Sequence, residues 1–396
     1  MKKVVFVLAA GAAAVAMAMP QIASDGDDAV KASVLPSSGN VRVQYRLLGE
    51  PAVNTAVIRV SGEAVPGSTF AEPTGDLNCL VLPGGRVGRL KARGNWAGQS
   101  VAPENITVEL KAWPTNCPPD FMSVNLKTGD RRYYASTNEL PYGLESDVWR
   151  STHCLMKLIP AAGETFRMGS PTNETDRTPV REIAHNVTFT KDFYLGVFEV
   201  TRGQYTNVVA SLPASSKGDG FDCPVNNVRY DAITAAGGFL DVLSTRSGVD
   251  FGLPTDAQWE FACRAGSRTA YNNGTDAATG LDSVGWYSDN SDYTSGTVTT
   301  KRVGTKDANA FGLYDMHGNL YELCRDWYEV GSSYSDGSYV TDPTGPVSSS
   351  SSKRVSHGGS FGAGSGSCRS AFRWAVDPTD GHSHMGFRLC CPAVVK

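Results

Sequence analysis

Hydrophobic and polar positions divide this chain into two stretches of different character. From about Val30 to Asp147 the pattern alternates with a period of two. Val41-Arg42-Val43-Gln44-Tyr45, Ala56-Val57-Ile58-Arg59-Val60 and Asn105-Ile106-Thr107-Val108-Glu109-Leu110 each read as half-buried strands. Pro66-Gly67, Pro83-Gly84-Gly85 and Pro118-Pro119 punctuate them. Short strands with such turns predict a small all-β, sandwich-like domain over residues 19–150. Cys79 and Cys117 are placed to bridge it, and it contains no catalytic cluster.

The pattern changes near Ser151. Leu155 to Pro160, Phe166 to Ser170 and Val187 to Leu195 are strand-like, but helical signals now appear between them. Thr201-x-x-Gln204 is a capping box opening a helix with Tyr205, Val208, Val209 and Leu212 on one face. Thr255-x-x-Gln258 opens a second, with Gly266 at its C-terminal stop. A third helix is expected from Tyr230 to Arg246, burying Ile233, Leu240 and Leu243. Serines 348–352 read as a mobile loop.

One stretch has no clean period. Asn309 to Tyr328 packs glycines, aromatics, acids and a cysteine together without alternating for long. Asp315, the backbone around Gly318 and Leu320, and Glu322 can converge on one point, which suits a hard cation such as calcium. The same residues also suit a buried turn whose acids accept backbone N–H bonds.

Composition bounds the function. The chain has 396 residues, a net charge of −4 and 42 glycines. That excludes the clustered basic footprint of a nucleic-acid binder and points to a loop-rich fold. Lys2 and Lys3 precede an apolar run from Val4 to Met19 with an Ala16-Met17-Ala18 cleavage pattern. Residues 1–18 therefore read as a secretory signal, too short for a membrane span. The protein is expected to be exported, periplasmic or extracellular, and its nine cysteines become disulfide candidates. No zinc-finger spacing occurs.

Six motifs now fall in order: Phe166 to Ser170, Phe198-Glu199-Val200-Thr201, Leu253 to Glu260, Gly312 to Glu322, Gly358-Gly359-Ser360, and Gly386-Phe387-Arg388. Together they resemble the formylglycine-generating enzyme, or sulfatase-modifying factor, family over about Cys154 to Cys391. The resemblance implies an α+β, loop-rich fold with a C-type-lectin-like core over residues 151–396. It also implies a calcium ion held by Asp315, Gly318, Leu320 and Glu322, the glycine and leucine through their carbonyls. A second family calcium site corresponds to Ser288–Thr305, which departs in length and composition and is not assigned.

The family enzyme oxidises a cysteine of a client sulfatase to formylglycine with oxygen, using Cu(I) held by two thiolates. Soft thiolates select that ion. The two family cysteines correspond to Ala363 and Cys368, so the copper pair is incomplete; Ser360, a family active-site residue, is retained. Side-by-side placement of the calcium loop and the last segment in this fold predicts a Cys324–Cys368 disulfide. Cys263 matches a family cysteine bonded near the C-terminus, with Cys391 or Cys390 as its partner here.

The sequence carries two other signals. Gly358 to Gly362 fits the Gly-x-Ser-x-Gly pattern of hydrolases, but needs a strand before it, a helix after it, and a distant acid and histidine. Gly362 to Ser367 and Asp380 to His384 are small or polar and flank Cys368 to Trp374. This arrangement resembles relatives of the fold used as variable ligand-binding proteins, whose surface loops a retroelement diversifies. It makes Ala363, Gly364, Ser365, His382 and His384 candidate ligand contacts. The expected function is a divergent, calcium-stabilised module binding a protein or surface ligand. The alternatives are an active oxidase or a diversified variable binder.

Overall fold

The computed structural model describes residues 20–24, 29–35, 38–216, 218, 220–293, 300–329 and 336–395. The expected signal segment lies outside these residues, as does 294–299 of the unassigned calcium segment. Among the described residues, no helix is long and apolar enough to cross a membrane.

The chain divides into two compact units. One draws on the chain up to Val124, on Asp130–Trp149 and on the residues from Ala393; the other comprises Asn125–Gly129 and Arg150–Pro392. The C-terminal residues thus leave the unit that sequence assigned them to. Val395 donates its N–H to Thr115 O at 2.9 Å.

The first unit is built of antiparallel strands. Val41–Leu48 alternates strictly between buried and exposed, as its period predicts. It pairs with Gly84–Leu90 in one sheet, while Ala52–Val60 pairs with Ile106–Pro114 in another. Val41, Val43, Tyr45 and Leu47 share one apolar core with Ile58, Val108 and Leu110. Cys79 carries a free thiol that donates to Gly75 O, so no bridge to Cys117 forms.

The second unit is mixed. Helix α1 spans Arg202–Val209 and opens with the expected capping box: Gln204 N–H donates to Thr201 Oγ1 at 3.0 Å, and Thr201 N–H to Gln204 Oε1 at 2.9 Å. The expected third helix breaks into α2, Tyr230–Thr234, and α3, Phe239–Ser247. Gly237 takes a φ of +74° and gives its N–H to Asp241 Oδ2, so the backbone turns where continuous apolar spacing hid the break. Ile233, Leu240 and Leu243 are nevertheless buried. Helix α4, Asp256–Arg264, has the second capping box, at Thr255 and Gln258. Its left-handed C-cap is Ala265, one residue before the expected glycine.

The aperiodic stretch contains an element that the pattern did not show. Tyr321–Trp327 is a strand at the centre of a four-stranded sheet, between Arg354–His357 and Met385–Gly386, with Trp374–Val376 outermost. Glu322, Cys324 and Asp326 are all buried at alternate positions. Apolar alternation failed because two of these three inward residues are acids.

Candidate functional site

The turn before that strand carries the carboxylates. Asp315 and Asn319 both take a positive φ, and Gly318 lies so near Trp286 O that an added Cβ would sit 2.0 Å away. Asp315 Oδ2 accepts the Gly304 N–H at 2.7 Å, whereas its Oδ1 is buried without a hydrogen-bond partner. Glu199, from the Phe198 to Thr201 motif, accepts Leu320 N–H at 3.0 Å and Asn319 Nδ2 at 2.7 Å.

Glu322 faces elsewhere. Arg388 grips it with Nη2 at 2.6 Å from Oε1 and Nε at 3.0 Å from Oε2, and Trp259 Nε1 donates to Oε2 at 2.7 Å. Arg388 also donates to the carbonyls of Gly196, Val197 and Tyr314. Among the described residues, no three His, Cys, Asp or Glu side chains converge on one metal position.

Three buried carboxylates therefore surround one guanidinium. Burial pushes Asp315 up to about 6, with Glu322 adding to the rise and Gly304 and Arg388 opposing it. Burial, then Asp315 and Glu322, push Glu199 well above the usual carboxylate range.

A second polar cluster lies at the start of α4. Asp256 bonds His357 Nε2 at 2.6 Å and Arg373 at 2.6 Å, and its N–H donates to Asp326 Oδ2 at 3.1 Å. His357 stacks on Trp259 at 4.6 Å. His317 bonds Cys368 O through Nδ1 and accepts Asn272 N–H at Nε2.

The Ser360 loop forms the other candidate site. Gly358 and Gly359 both take positive φ, and Ser360 follows them fully buried. Its Oγ lies 2.9 Å from His384 Nδ1. His384 stacks on Phe361 at 4.5 Å, meets Tyr293 edge-on at 5.9 Å, and has His382 beside it at 5.2 Å. Burial, then His382, hold His384 below the usual imidazole range. Gly364 and His382 are exposed, and Ser365 accepts Tyr271 Oη at its carbonyl. The strand Arg354–His357 precedes the Gly-x-Ser-x-Gly segment, but a loop follows it, so the strand–turn–helix context of a hydrolase nucleophile is not met.

The expected disulfides are absent. Cys263, Cys324 and Cys368 are all free thiols. Cys324 belongs to the cluster with Trp259 and Ala262; Cys368 belongs to one with Tyr271 and Tyr287. Cys324 shares the strand face of Glu322, which meets Trp259, while Tyr321, the neighbour that feels Cys368, points to the opposite face. The two sulfurs sit in different buried clusters. Cys263 Sγ lies 3.7 Å from Met316 O and from Ser370 Oγ, and Cys390 Sγ, in the same apolar cluster, lies 3.8 Å from Gln258 Oε1. Burial pushes the Cys368 thiol up to about 12, opposed by the Ser360 N–H. Ala363 packs against the same cluster as Cys368.

Sequence reasoning missed the roles of Glu199, Arg388, Tyr293 and Phe361. Glu199 and Arg388 stood inside motifs already noted; the signal was a charged residue in an otherwise apolar motif.

The scaffold and these two sites define a loop-rich mixed α/β protein that displays a small-residue loop above a buried acidic turn. Residues 151–393 match the model of the sulfatase-modifying factor enzyme 1-like domain, more than half of the chain. The chain belongs to that family. A chaperone protein LppX of Paenibacillus barcinonensis is 29% identical over 220 residues, covering 45% of this chain and 77% of that one. A formylglycine-generating enzyme of Thermomonospora curvata is 31% identical over 146 residues, 34% of this chain; the match spans only 48% of the enzyme. The solved structure of Treponema denticola variable protein 1 superposes with a TM-score of 0.52 at 26% identity, covering 61% of this chain and 96% of that one.

Proposed function

We propose that this protein is a divergent, exported member of its family that binds a protein or surface ligand through the Ser360 loop and has lost copper oxidation. The observation that carries this reading is Ala363, standing beside a buried Cys368 thiol. Cu(I) needs a second soft donor, and a protonated, enclosed thiol is a poor first one. The residues here do not fit copper. The likeness to Treponema denticola variable protein 1 supports a scaffold that presents adaptable loops, with Gly364, Ser365, His382 and His384 as contacts. It also favours the C-type-lectin-like core expected for this domain. The likeness to chaperone protein LppX favours a protein as ligand.

Calcium fits the acidic turn in part. Asp315 Oδ1 is a buried acceptor without a partner, and three carboxylates against one guanidinium leave negative charge to neutralise. The ion would be held by Asp315 and the Gly318 and Leu320 carbonyls. Glu322 does not join it while both its oxygens serve Arg388.

The test of the lost activity is a Cu(I) titration combined with conversion of a Cys-x-Pro-x-Arg peptide. The wild-type protein is expected to show neither tight copper binding nor turnover. Ala363→Cys is expected to raise Cu(I) affinity at least ~10-fold, because it supplies the second sulfur in the same apolar cluster. Turnover by the wild type overturns the proposal. Calcium is tested separately by melting: the ion is expected to raise the Tm and a chelator to lower it, with Asp315→Asn abolishing the difference. A Tm indifferent to chelator removes calcium.

A further inference from the structure

The first unit holds a cavity that none of the sites above uses. Ala52–Val60 pairs along its whole length with Ile106–Pro114 on one edge. On its other edge it meets Leu80–Val81 at Ala52 and Val53, and Glu63–Ala64 at Arg59 and Val60. Between those partners the sheet is broken. Asn54 N–H donates to Cys79 O at 3.2 Å, and Ile58 O accepts Val65 N–H at 2.8 Å, both on the broken edge. A strand turns the backbone groups of alternate residues to alternate edges. Ala56, midway between Asn54 and Ile58, therefore directs its N–H and C=O into the gap.

A cavity of about 360 Å³ lies along this gap, within the size range of ligand pockets. Ala56, Ile58, Phe70 and Leu90 give it an apolar wall. Segments 66–71 and 136–141 close it; they touch where Gly67 meets the Glu139 carbonyl. Asn78 also lines it and supplies a second, independent observation. That residue is 2% exposed, its Nδ2 is committed to Tyr133 O at 2.8 Å, and its Oδ1 has no hydrogen-bond partner. A buried acceptor left unpaired costs about 1–3 kcal/mol.

We propose that this cavity binds a short extended peptide that fills the missing strand segment. Its backbone pairs with the N–H and C=O of Ala56, as in strand addition. A further amide donates to Asn78 Oδ1, and one apolar side chain lies against Phe70 and Ile58. From Asn54 to Ile58 the gap runs about 13 Å at ~3.3 Å per residue, room for about three residues. The inference does not depend on the reading of the second unit.

The test uses the full chain and a pooled library of N-acetylated, C-amidated tripeptides with an apolar central residue. Saturable binding is expected, with slower hydrogen exchange at Ala56. N-methylation of the central amide in a selected tripeptide is expected to weaken binding at least ~10-fold. That comparison leaves the protein untouched. Ala56→Pro complements it, because it removes the N–H that faces the gap, and it is expected to weaken binding of the unmethylated tripeptide. No saturable binding, or equal affinity for the methylated and unmethylated tripeptides, overturns the proposal.

Discussion

Replacing Arg388 by Ala is expected to destabilise the second unit by about 3–5 kcal/mol, seen as a large drop in Tm and in the denaturant midpoint. The guanidinium is fully buried and makes two kinds of bond: three to the Glu322 carboxylate and three to the carbonyls of Gly196, Val197 and Tyr314. Its removal leaves Glu322 charged and enclosed, with only Trp259 Nε1 as a donor, beside the Glu199 and Asp315 carboxyls. Arg388→Lys keeps the charge but loses the planar fork, so an intermediate loss is expected. The double variant Glu322→Gln with Arg388→Met should recover part of the loss, because it buries no unpaired charge. If Arg388→Ala costs less than about 1 kcal/mol, this ion pair does not organise the turn.

The second large effect is a pH dependence set by Asp326. Burial, then the neighbouring Asp256 charge, push this carboxyl up to about 7. Asp256 itself is held down at about 2: burial opposes this, but Arg373 and His357 outweigh it. A carboxyl raised above its unfolded value of about 3.9 binds its proton more tightly in the fold. Its stabilising contribution is complete below about pH 4 and is lost as pH rises through about 7. Asp256 has the opposite sign, and its contribution is lost only in acid, between about pH 4 and pH 2. Asp326→Asn is expected to flatten the fall in stability between pH 5 and pH 8, and to make the variant more stable by roughly 2–4 kcal/mol at pH 8. Asparagine can still accept the Asp256 N–H through its Oδ1, so the start of α4 keeps its bond. Urea melts at several pH values measure this directly. Parallel stability profiles for the two proteins would show that Asp326 is ionised in the fold throughout that range.

Local sequence determined the elements whose signals are complete within a few residues. Both capping boxes formed where Thr201 and Thr255 precede Gln204 and Gln258, because a cap is satisfied by its own first turn. Val41–Leu48 alternates as read, because a half-buried strand needs only its period to choose a face. The family was legible too, since its motifs lie in order along the chain.

What the sequence could not decide were pairings between distant segments. Glu322 read as a calcium ligand until its partner 66 positions away took both of its oxygens. Cys324 and Cys368 read as a bridge because their loops were expected side by side, but the two sulfurs pack into different apolar clusters. Tyr321–Trp327 escaped notice as a strand because its inward acids are compensated by Arg388 and by the N-terminus of α4. The open edge at Ala56 has no local signal at all, since it arises where two separate neighbours stop short. A strand's period and a helix cap are settled by neighbours in the chain. Charge compensation, sulfur geometry and sheet edges are settled by neighbours in space, and only the tertiary structure supplies those.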